Sequence, residues 1–394
     1  MATIMIFPFP EYGHLNPTLK LAKALKQAGH RVCFLGFAEF EAYLVAQGLE
    51  FMPILENCNE DCISGEPPRC MQATQVTQSL AAMKVTDRAS SETYRQIEKE
   101  LERITGEIPP DLLIADILIG GLAYKAAREF GISSILVSPS YFEMPMLGKP
   151  VLDEKDRQLP VLVFCPEAFD FPGASKKPNR YYIEPSVDLE RQELHAFPWE
   201  ALDQSKPLIY SSAGCQPHLY DQSSTLYRAL IEAMSEKPEW QLVLAIGRHM
   251  DCAAFEPVPE NVLLVNWAPQ LELIKRAAMM ITHGGLGAVK ECIMLSVPMI
   301  VFPCRWDQPF NAARVVAHGL GMRGNINQVT AQQVANLIDS VATNPTLKRR
   351  MAAMSQTFHQ IEDSGIGVKV VESILSQAHD QHARSTDYRS SAIL

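Results

Sequence analysis

One stretch of the chain, residues 267–312, constrains the fold more than any other part of the sequence. It begins with Trp267 at the end of an apolar strand and continues through a helix predicted over 271–278 and a short strand. A glycine-rich loop then opens a second helix, and a third strand leads to a polar segment that starts at Asp307. The pattern predicts an α/β domain, because apolar strands here alternate with helical runs.

The polar residues of this stretch stand in an order that fits a nucleotide-sugar. The loop His283–Gly287 opens a helix, and glycines let an anion approach the free N–H groups of a helix N-terminus. Glu291 lies roughly 10 Å further along the helix, where a carboxylate can accept ribose hydroxyls. Trp267 offers a flat face for a base, and Asp307 with Gln308 can hold a hydroxyl-rich group. Each residue alone fits an ordinary structural role, so their joint order carries the prediction.

The stretch resembles the donor-binding signature of the UDP-glycosyltransferase superfamily. The motifs W-x-P-Q, H-x-G, Glu, V-P and P-x-x-x-D-Q-x-x-N-A follow one another as in that family. The short spacing from Trp267 to His283 resembles the bacterial macrolide and antibiotic branch. The resemblance implies inverting enzymes of the GT-B fold, which have two Rossmann-like, doubly wound parallel-sheet domains facing across a cleft.

The resemblance also implies a role for each motif residue. It assigns base stacking to Trp267, base or ribose contacts to Gln270, diphosphate to His283, ribose to Glu291, and donor sugar to Asp307 and Gln308. A small-residue loop after a strand of the second domain would lie near the β-phosphate. The donor-binding residues implied in all are Gly214, Cys215, Trp267, Gln270, His283, Gly285, Gly287, Ala288, Glu291, Asp307 and Gln308.

Two positions of the expected phosphate-binding site depart from the family pattern. The family often has Ser or Thr where Ala288 stands, and Gly-Ser or Gly-Thr where this chain has Gly214-Cys215. Two hydroxyl contacts to phosphate are therefore missing. The glycines and the backbone N–H groups remain.

Composition excludes several classes of function. The 394 residues predict two domains, and 47% apolar content with 20% charged residues describes a globular protein with ample core. The net charge of −10 argues against a nucleic-acid partner. No apolar run reaches the roughly 18 residues of a membrane span, and no signal peptide is recognised, so the cytoplasm is the expected location. The nine cysteines form no zinc pattern.

The chain begins with a strand–helix–strand unit. Thr3–Phe9 and the run HRVCFLGF read as buried strands, and the residues between them read as an amphipathic helix. Asn16 is a suitable N-cap and Pro17 a suitable first helical residue, which predicts where this helix starts. Such a unit predicts a parallel sheet. Its first turn is not G-x-G-x-x-G, which weighs against a dinucleotide oxidoreductase.

Two residues of the first domain are candidates for catalysis. His14 follows the first strand, at the sheet edge where open α/β sheets bind ligands, and its match to G-H-x-x-P implies the family's general base. Asp116 ends the strand predicted over 109–115, where the family has an aspartate that orients this histidine. The alternatives are a loop histidine with a local hydrogen bond and an aspartate that caps a helix.

The first domain is also expected to bind the acceptor. In the family, the segment 138–150 lines the acceptor cleft, and its Met and aromatic side chains suit a flat or apolar molecule as well as they suit core packing. The candidate acceptor-binding residues are Tyr12, Tyr141, Phe142, Met144 and Met146.

Domain boundaries follow from composition shifts. We expect an N-terminal acceptor-binding domain over 1–190, a charged, proline-broken linker over 191–206 and a C-terminal nucleotide-sugar domain over 207–378. The resemblance implies that the last helix packs back on the first domain. The polar segment 379–394 is expected to be disordered.

These observations predict an inverting transferase that moves a hexose from a UDP- or dTDP-sugar to a hydroxyl of a hydrophobic small molecule. The resemblance implies no metal and no cofactor other than the sugar donor as co-substrate. Two alternatives stay open: a nucleotide-sugar epimerase or hydrolase on the same fold, and a non-catalytic auxiliary protein. The sequence does not identify the acceptor, distinguish uridine from thymidine donors or indicate the oligomeric state.

Overall fold

The structure is a computed structural model, and it describes residues 1–54, 92–139, 158–170, 178–193, 196–214 and 217–391. Two parallel sheets account for all of its described strands. In chain order the first sheet comprises β1 Thr3–Phe7, β2 Arg31–Gly36, β3 Glu50–Pro53, β4 Leu112–Asp116, β5 Ser133–Ser138, β6 Val161–Val163 and β7 Arg180–Tyr182. The second comprises β8 Leu208–Ser212, β9 Gln241–Ala245, β10 Val262–Val265, β11 Ala277–Thr282, β12 Met299–Val301 and β13 Gly321–Arg323.

The sheets have the strand orders β3-β2-β1-β4-β5-β6-β7 and β10-β9-β8-β11-β12-β13. Each order reverses direction once near its middle, which defines a doubly wound sheet. Strands such as β4 and β8 are buried along their whole length, because helices cover both faces of a parallel sheet. The α/β class predicted from the sequence is confirmed.

Helices connect the strands. Those of the first half and the last helix are α1 Tyr12–Gln27, α2 Glu41–Ala46, α3 Glu92–Glu107, α4 Gly120–Glu129 and α11 Ile366–Ser391. The others are α5 Ser223–Ser235, α6 Gln270–Ile274, α7 Leu286–Met294, α8 Gln308–His318, α9 Ala331–Ala342 and α10 Pro345–Glu362. Of the helices that the structure describes, none has the length and apolarity needed to cross a membrane.

Two helices differ from the sequence prediction at their ends. Helix α1 begins at Tyr12, because the Glu11 carbonyl already accepts the N–H groups of His14 and Leu15. Pro17 therefore lies inside the helix, and the Asn16 side chain accepts a hydrogen bond from Tyr43 instead of capping the helix. The predicted helix over 271–278 ends at Ile274, because the chain then turns into strand β11, which pairs with β8.

The chain divides into two compact units. Unit 1 comprises Met1–Cys165, Ser175–Asp188 and Ser364–Leu394, and unit 2 comprises Pro166–Ala174 and Leu189–Asp363.

The expected linker, 191–206, therefore lies in unit 2. Gln241 at the start of β9 holds this segment, since its side-chain amide donates to the carbonyls of Asp203 and Lys206 at 2.6 and 2.8 Å. Its side-chain oxygen accepts the Asp203 N–H at 3.0 Å. These bonds give the segment a fixed place that its polar composition did not indicate.

The last helix, α11, belongs to unit 1. Its first turn is held by Glu184, whose carboxylate accepts the Gly367 N–H at 3.0–3.1 Å. The helix continues to Ser391, so the structure differs from the expected disorder of 379–394.

Candidate functional site in each unit

A histidine–carboxylate pair lies at the carboxyl edge of the sheet in unit 1. Strands β1 and β4 are parallel neighbours, so the residues that follow them meet at one edge. His14 lies in the first turn of α1, and its Nδ1 is 2.8 Å from Oδ2 of Asp116, the last residue of β4. The Asp116 side chain is fully buried, whereas the His14 side chain is 23% exposed. The pair thus joins a buried carboxylate to a histidine that solvent can reach.

The geometry fixes which histidine nitrogen can take a proton. Since Nδ1 faces the carboxylate, Nδ1 carries the N–H of the neutral ring and Nε2 becomes the proton acceptor. The ring of Phe9 packs at a tilt against the His14 ring, with 5.3 Å between centroids, and restricts its rotation. The arrangement matches the orienting half of a serine-protease triad.

Asp116 also caps a helical turn, so it makes the contacts that both interpretations of this residue predict. Its second oxygen, Oδ1, accepts the N–H of Leu118 at 2.8 Å, at the start of the short helix Ile117–Ile119. This bond holds the carboxylate in place without using the oxygen that faces His14. The cap therefore contributes to the orientation of the pair.

Of the predicted acceptor-binding residues, the structure describes Tyr12 alone. Its ring lies edge-on against Phe40 and Tyr43, each at 5.3 Å between centroids. The other four, Tyr141, Phe142, Met144 and Met146, lie outside the described residues, as does Cys215 in unit 2.

In unit 2, a histidine is held between two glycines at the corresponding sheet edge. Strands β8 and β11 are parallel neighbours, and Gly214 and His283 follow them closely. A Cβ at Gly214 would lie 2.7 Å from two ring atoms of His283, and a Cβ at Gly285 would lie 2.8 Å from its Nε2. Gly214 also has a φ of +85°, which other residues adopt at a cost. Only glycine fits on both sides of this ring.

The environment keeps the His283 ring neutral. Burial lowers its pKa to about 4, although the nearby Asp307 carboxylate and a hydrogen bond to the Ser212 backbone oppose this shift. At neutral pH the ring therefore contributes hydrogen bonds and no charge.

Helix α7 starts two residues after the His283–Gly284 turn. Gly285 precedes its first residue, and Gly287 and Ala288 lie in its first turn. The first N–H groups of a helix have no carbonyl acceptor within it, and the helix dipole adds positive potential at this end. The methyl group of Ala288 is buried, so the backbone provides the donors that a side-chain hydroxyl would otherwise add.

Glu291, one turn further along α7, is joined to Gln270. Nε2 of Gln270 donates to Oε2 of Glu291 at 2.6 Å, which brings two predicted ribose-binding residues into direct contact. The other carboxylate oxygen, Oε1, accepts a short hydrogen bond from Nη1 of Arg191. Arg191 was not among the predicted site residues, because it lies 100 residues from Glu291 in a segment predicted to be a linker.

Trp267 was predicted to stack on the nucleotide base, and the guanidinium group of Arg248 lies over its ring. The guanidinium carbon of Arg248 lies 4.1 Å from the ring centroid, which is a close cation–π contact. Arg248 follows β9, the neighbour of the strand that leads to Trp267. Arg248 is a second residue near the predicted site that the sequence pattern did not identify.

The segment of Asp307 and Gln308, which were predicted to bind the donor sugar, is hydrogen-bonded to the glycine-rich loop. Nδ2 of Asn311 donates both to the Gly284 carbonyl, at 2.8 Å, and to Oδ2 of Asp307, at 2.9 Å. Gln308 is 3% exposed, and its Oε1 accepts the backbone N–H groups of Cys304 and Arg305 at 2.8 and 2.9 Å. The structure thus shows Gln308 shaping its own loop, while Asp307 is the more exposed of the two.

No group of three or more metal-ligating side chains comes together in the portion of the chain that the structure covers. The polar groups described above belong instead to pairs and hydrogen-bond networks. The predicted independence from metal stays a prediction.

Comparison with known proteins adds a family relationship. Residues 239–360 match the family described as erythromycin biosynthesis protein CIII-like, C-terminal domain. The NDP-glycosyltransferase YjiC of Bacillus licheniformis is 24% identical over 406 residues, covering 95% of this chain and 98% of the relative. The demethyllactenocin mycarosyltransferase of Streptomyces fradiae is 22% identical, covering 96% of this chain and 87% of the relative.

A solved structure agrees with the two-sheet architecture. The glycotransferase of kitacinnamycin superposes with a TM-score of 0.74 at 23% identity, covering 95% of this chain and 98% of that one. Together with the parallel sheets of seven and six strands, this likeness confirms the predicted GT-B fold.

Proposed function

The protein is a glycosyltransferase of the UDP-glycosyltransferase superfamily, in its antibiotic branch, and from that premise we propose its reaction. It transfers a hexose from a nucleoside-diphosphate sugar to a hydroxyl of a hydrophobic natural product, with inversion at the anomeric carbon. The observation that carries the proposal is the 2.8 Å contact between His14 Nδ1 and Asp116 Oδ2. This contact supports the proposal that His14 is an oriented general base.

In the proposed step, Nε2 of His14 takes the proton of the acceptor hydroxyl. The hydroxyl oxygen forms a bond to the anomeric carbon as the bond from that carbon to the phosphate oxygen breaks. The sugar keeps its other substituents, and the nucleoside diphosphate leaves with the electron pair. Buried Asp116 stabilises the imidazolium that forms, as the acid of a catalytic triad does.

Unit 2 is proposed to hold the donor. Negative charge that develops on the diphosphate is met by the N-terminal N–H groups of α7 and by the neutral ring of His283. Trp267 supports the base, Gln270 and Glu291 bind the ribose, and Asp307 binds the sugar. No metal takes part in this proposal.

The relatives guide the choice of substrates. One is an NDP-glycosyltransferase, and the others are named for demethyllactenocin and kitacinnamycin. We therefore propose a natural-product hydroxyl as the acceptor. Uridine and thymidine diphosphate sugars are both candidate donors, because Trp267 can stack on either base.

The test is product formation by the wild type and the His14→Ala variant. Each protein is incubated with UDP-glucose or dTDP-glucose and a panel of phenols, flavonoids and macrolides, and products are read by mass. We expect hexosyl adducts with the wild type and a loss of about 10²–10⁴-fold in rate with the variant. Nucleotide binding should persist in the variant, because His14 lies in unit 1.

Three results would contradict the proposal. A variant that keeps the wild-type rate would exclude His14 as the base. Free hexose without any adduct would indicate a hydrolase. Wild-type protein that binds nucleotide but forms no product with any donor or acceptor would favour an auxiliary binding protein.

A further inference from the structure

Four polar side chains of unit 2 form one cluster around the proposed ribose carboxylate, with Arg191 and Glu291 buried and the other two half-buried. Nη1 of Arg191 donates to Oε1 of Glu291, and Nη2 donates to Oε1 of Glu193 at 3.0 Å. Gln270 donates to Oε2 of Glu291 at 2.6 Å. Oε2 of Glu193 accepts the Leu271 N–H at 3.2 Å, at the start of α6, the helix that also carries Gln270. We refer to Arg191, Glu193, Gln270 and Glu291 as the Arg191 cluster.

The cluster combines one cation with two carboxylates in a place that water hardly reaches. The side chains of Arg191 and Glu291 are 4% and 6% exposed. A carboxylate buried without a charged partner is costly, and arginine is charged at every working pH. Burial raises the pKa of Glu193, and Arg191 opposes that shift. Arg191 is thus the cation that makes a buried pair of carboxylates tolerable.

The two partners of Glu291 also fix the plane of its carboxylate, because one binds each oxygen. A carboxylate has about four acceptor positions, so two remain after Arg191 and Gln270 have bound. The ribose of uridine diphosphate has two free hydroxyls, and the deoxyribose of thymidine diphosphate has one, so either sugar can be accommodated. Glu291 can therefore accept ribose hydroxyls while it is bonded to Arg191 and Gln270.

We infer that Arg191 is a positioning residue for the donor, one that holds the Glu291 carboxylate in the rotation that lets it accept the ribose hydroxyls. The inference rests on the proposed function, because it presumes that Glu291 binds ribose. Arg191 itself touches no reacting atom. It acts through Glu291, and its effect should appear in recognition of the ribose.

Two other roles for Arg191 predict different results. If Arg191 only ties the segment at the start of unit 2 to α7, its loss lowers stability without changing ribose recognition. If Arg191 occupies the place of the ribose, its loss strengthens nucleotide binding. A matched control exists in the same unit, since Arg314 and Asp170 form another buried pair, with side chains 3% and 7% exposed.

The experiment compares two probes, UDP and 2′,3′-dideoxyuridine diphosphate, which lacks both ribose hydroxyls. Their Kd values are measured by calorimetry on the full chain for the wild type, Arg191→Met, Arg191→Lys, Glu291→Gln, the double variant Arg191→Met/Glu291→Gln, and Arg314→Met. Folding of each variant is checked by its Tm. Arg191→Lys replaces Arg191→Met if the methionine variant does not fold.

We expect the wild type to prefer UDP by about 10-fold to 100-fold, the range for hydrogen bonds to a charged group. Arg191→Met should bring this ratio close to one, chiefly by weakening UDP. Arg191→Lys should restore part of the ratio, because lysine keeps the charge without the planar fork. The double variant should lose no more than Glu291→Gln does, since the two residues act as one unit. Arg314→Met should lower the Tm and keep the ratio.

Several outcomes would overturn the inference. A folded Arg191→Met variant with the wild-type ratio leaves Arg191 a purely structural role, while a variant that binds UDP more tightly identifies it as a competitor of the ribose. Equal Kd values for the two probes with the wild type would show that the ribose hydroxyls are not bound, while nucleotide binding remains. A wild type that binds neither probe overturns this inference, and one that also fails to bind dTDP overturns the proposed function.

Discussion

Two histidines follow parallel strands at the carboxyl edges of the two sheets, yet their surroundings differ. His14 faces the buried carboxylate of Asp116 at 2.8 Å and keeps 23% of its side chain exposed. His283 is packed between Gly214 and Gly285 and has a backbone carbonyl as its partner. One ring is arranged to gain a proton, whereas the other is arranged to stay neutral.

The difference lies in what stabilises the imidazolium. A carboxylate in contact with the ring favours the charged form, while burial without a carboxylate in contact favours the neutral form. At His283 the more distant Asp307 does not outweigh burial, which lowers the pKa to about 4. The surroundings of each ring therefore assign a different role to the same residue type, and three substitutions test that assignment.

The largest effect is expected from Asp116→Asn, which removes the carboxylate from His14. An amide can donate to Nδ1, so the ring would carry its proton on Nε2 and could not accept one there. The rate of transfer should fall by about 10²–10⁴-fold, with little change in nucleotide affinity. Kinetics under saturating donor measure this, once a donor and acceptor are in hand.

Asp111→Asn is the matched control for this prediction. Asp111 immediately precedes β4, at its opposite end, where its Oδ2 accepts the Thr3 N–H at 2.7 Å. The same carboxylate-to-amide change there should leave the rate near the wild-type value. If both variants lose activity equally, the effect comes from the strand and not from the pair.

A smaller effect is expected from Gly214→Ala, which disturbs the packing of His283. The new Cβ would lie 2.7 Å from the ring, and φ at this position is +85°. The ring must move, so nucleotide affinity should fall by about tenfold and stability by about 2–3 kcal/mol. Calorimetric titration with UDP and thermal unfolding give the two values.

Gly29→Ala separates the two causes. Gly29 has a φ of +90°, but a Cβ there would meet nothing within 4 Å. This variant should lose only the backbone contribution, about 1 kcal/mol, and keep its nucleotide affinity. Equal losses in both variants would show that contact with His283 is unimportant.

The sequence predicted the parts of this site that depend on strand order. The contact of His14 with Asp116 spans 102 residues. The family resemblance predicted it, and the position of both residues after strands agreed with that prediction. The contact of Gln270 with Glu291 joins two motif residues for which the resemblance implies ribose binding, although the contact itself was not predicted.

The sequence could not predict which hydrogen-bond partner each polar side chain has. Arg191 lies in a charged segment, and its composition gives no sign that it reaches Glu291. Gln308 was predicted to bind sugar, and nothing in its neighbours indicates that its oxygen accepts two backbone N–H groups of its own loop. Both choices depend on tertiary distances, which local pattern does not encode.

The smallest effect is expected at acid pH from His283→Asn. The folded state holds His283 neutral to a pKa of about 4, while an unfolded histidine titrates near 6.5. As pH falls from 6.5 to 4, the unfolded state gains a proton that the folded state does not, so the wild type loses stability in this window. The loss attributable to His283 should be on the order of 1–2 kcal/mol at pH 4.5, because the ring keeps some solvent contact. Asparagine does not titrate, so the variant should lose less stability between pH 7 and pH 4.5 than the wild type does, as urea unfolding at both pH values would show.

His249→Asn controls for the removal of an imidazole from an exposed position. If an NMR titration of the folded protein gave a midpoint near 6.5 for His283, its ring would resemble an exposed histidine and the contrast with His14 would be lost.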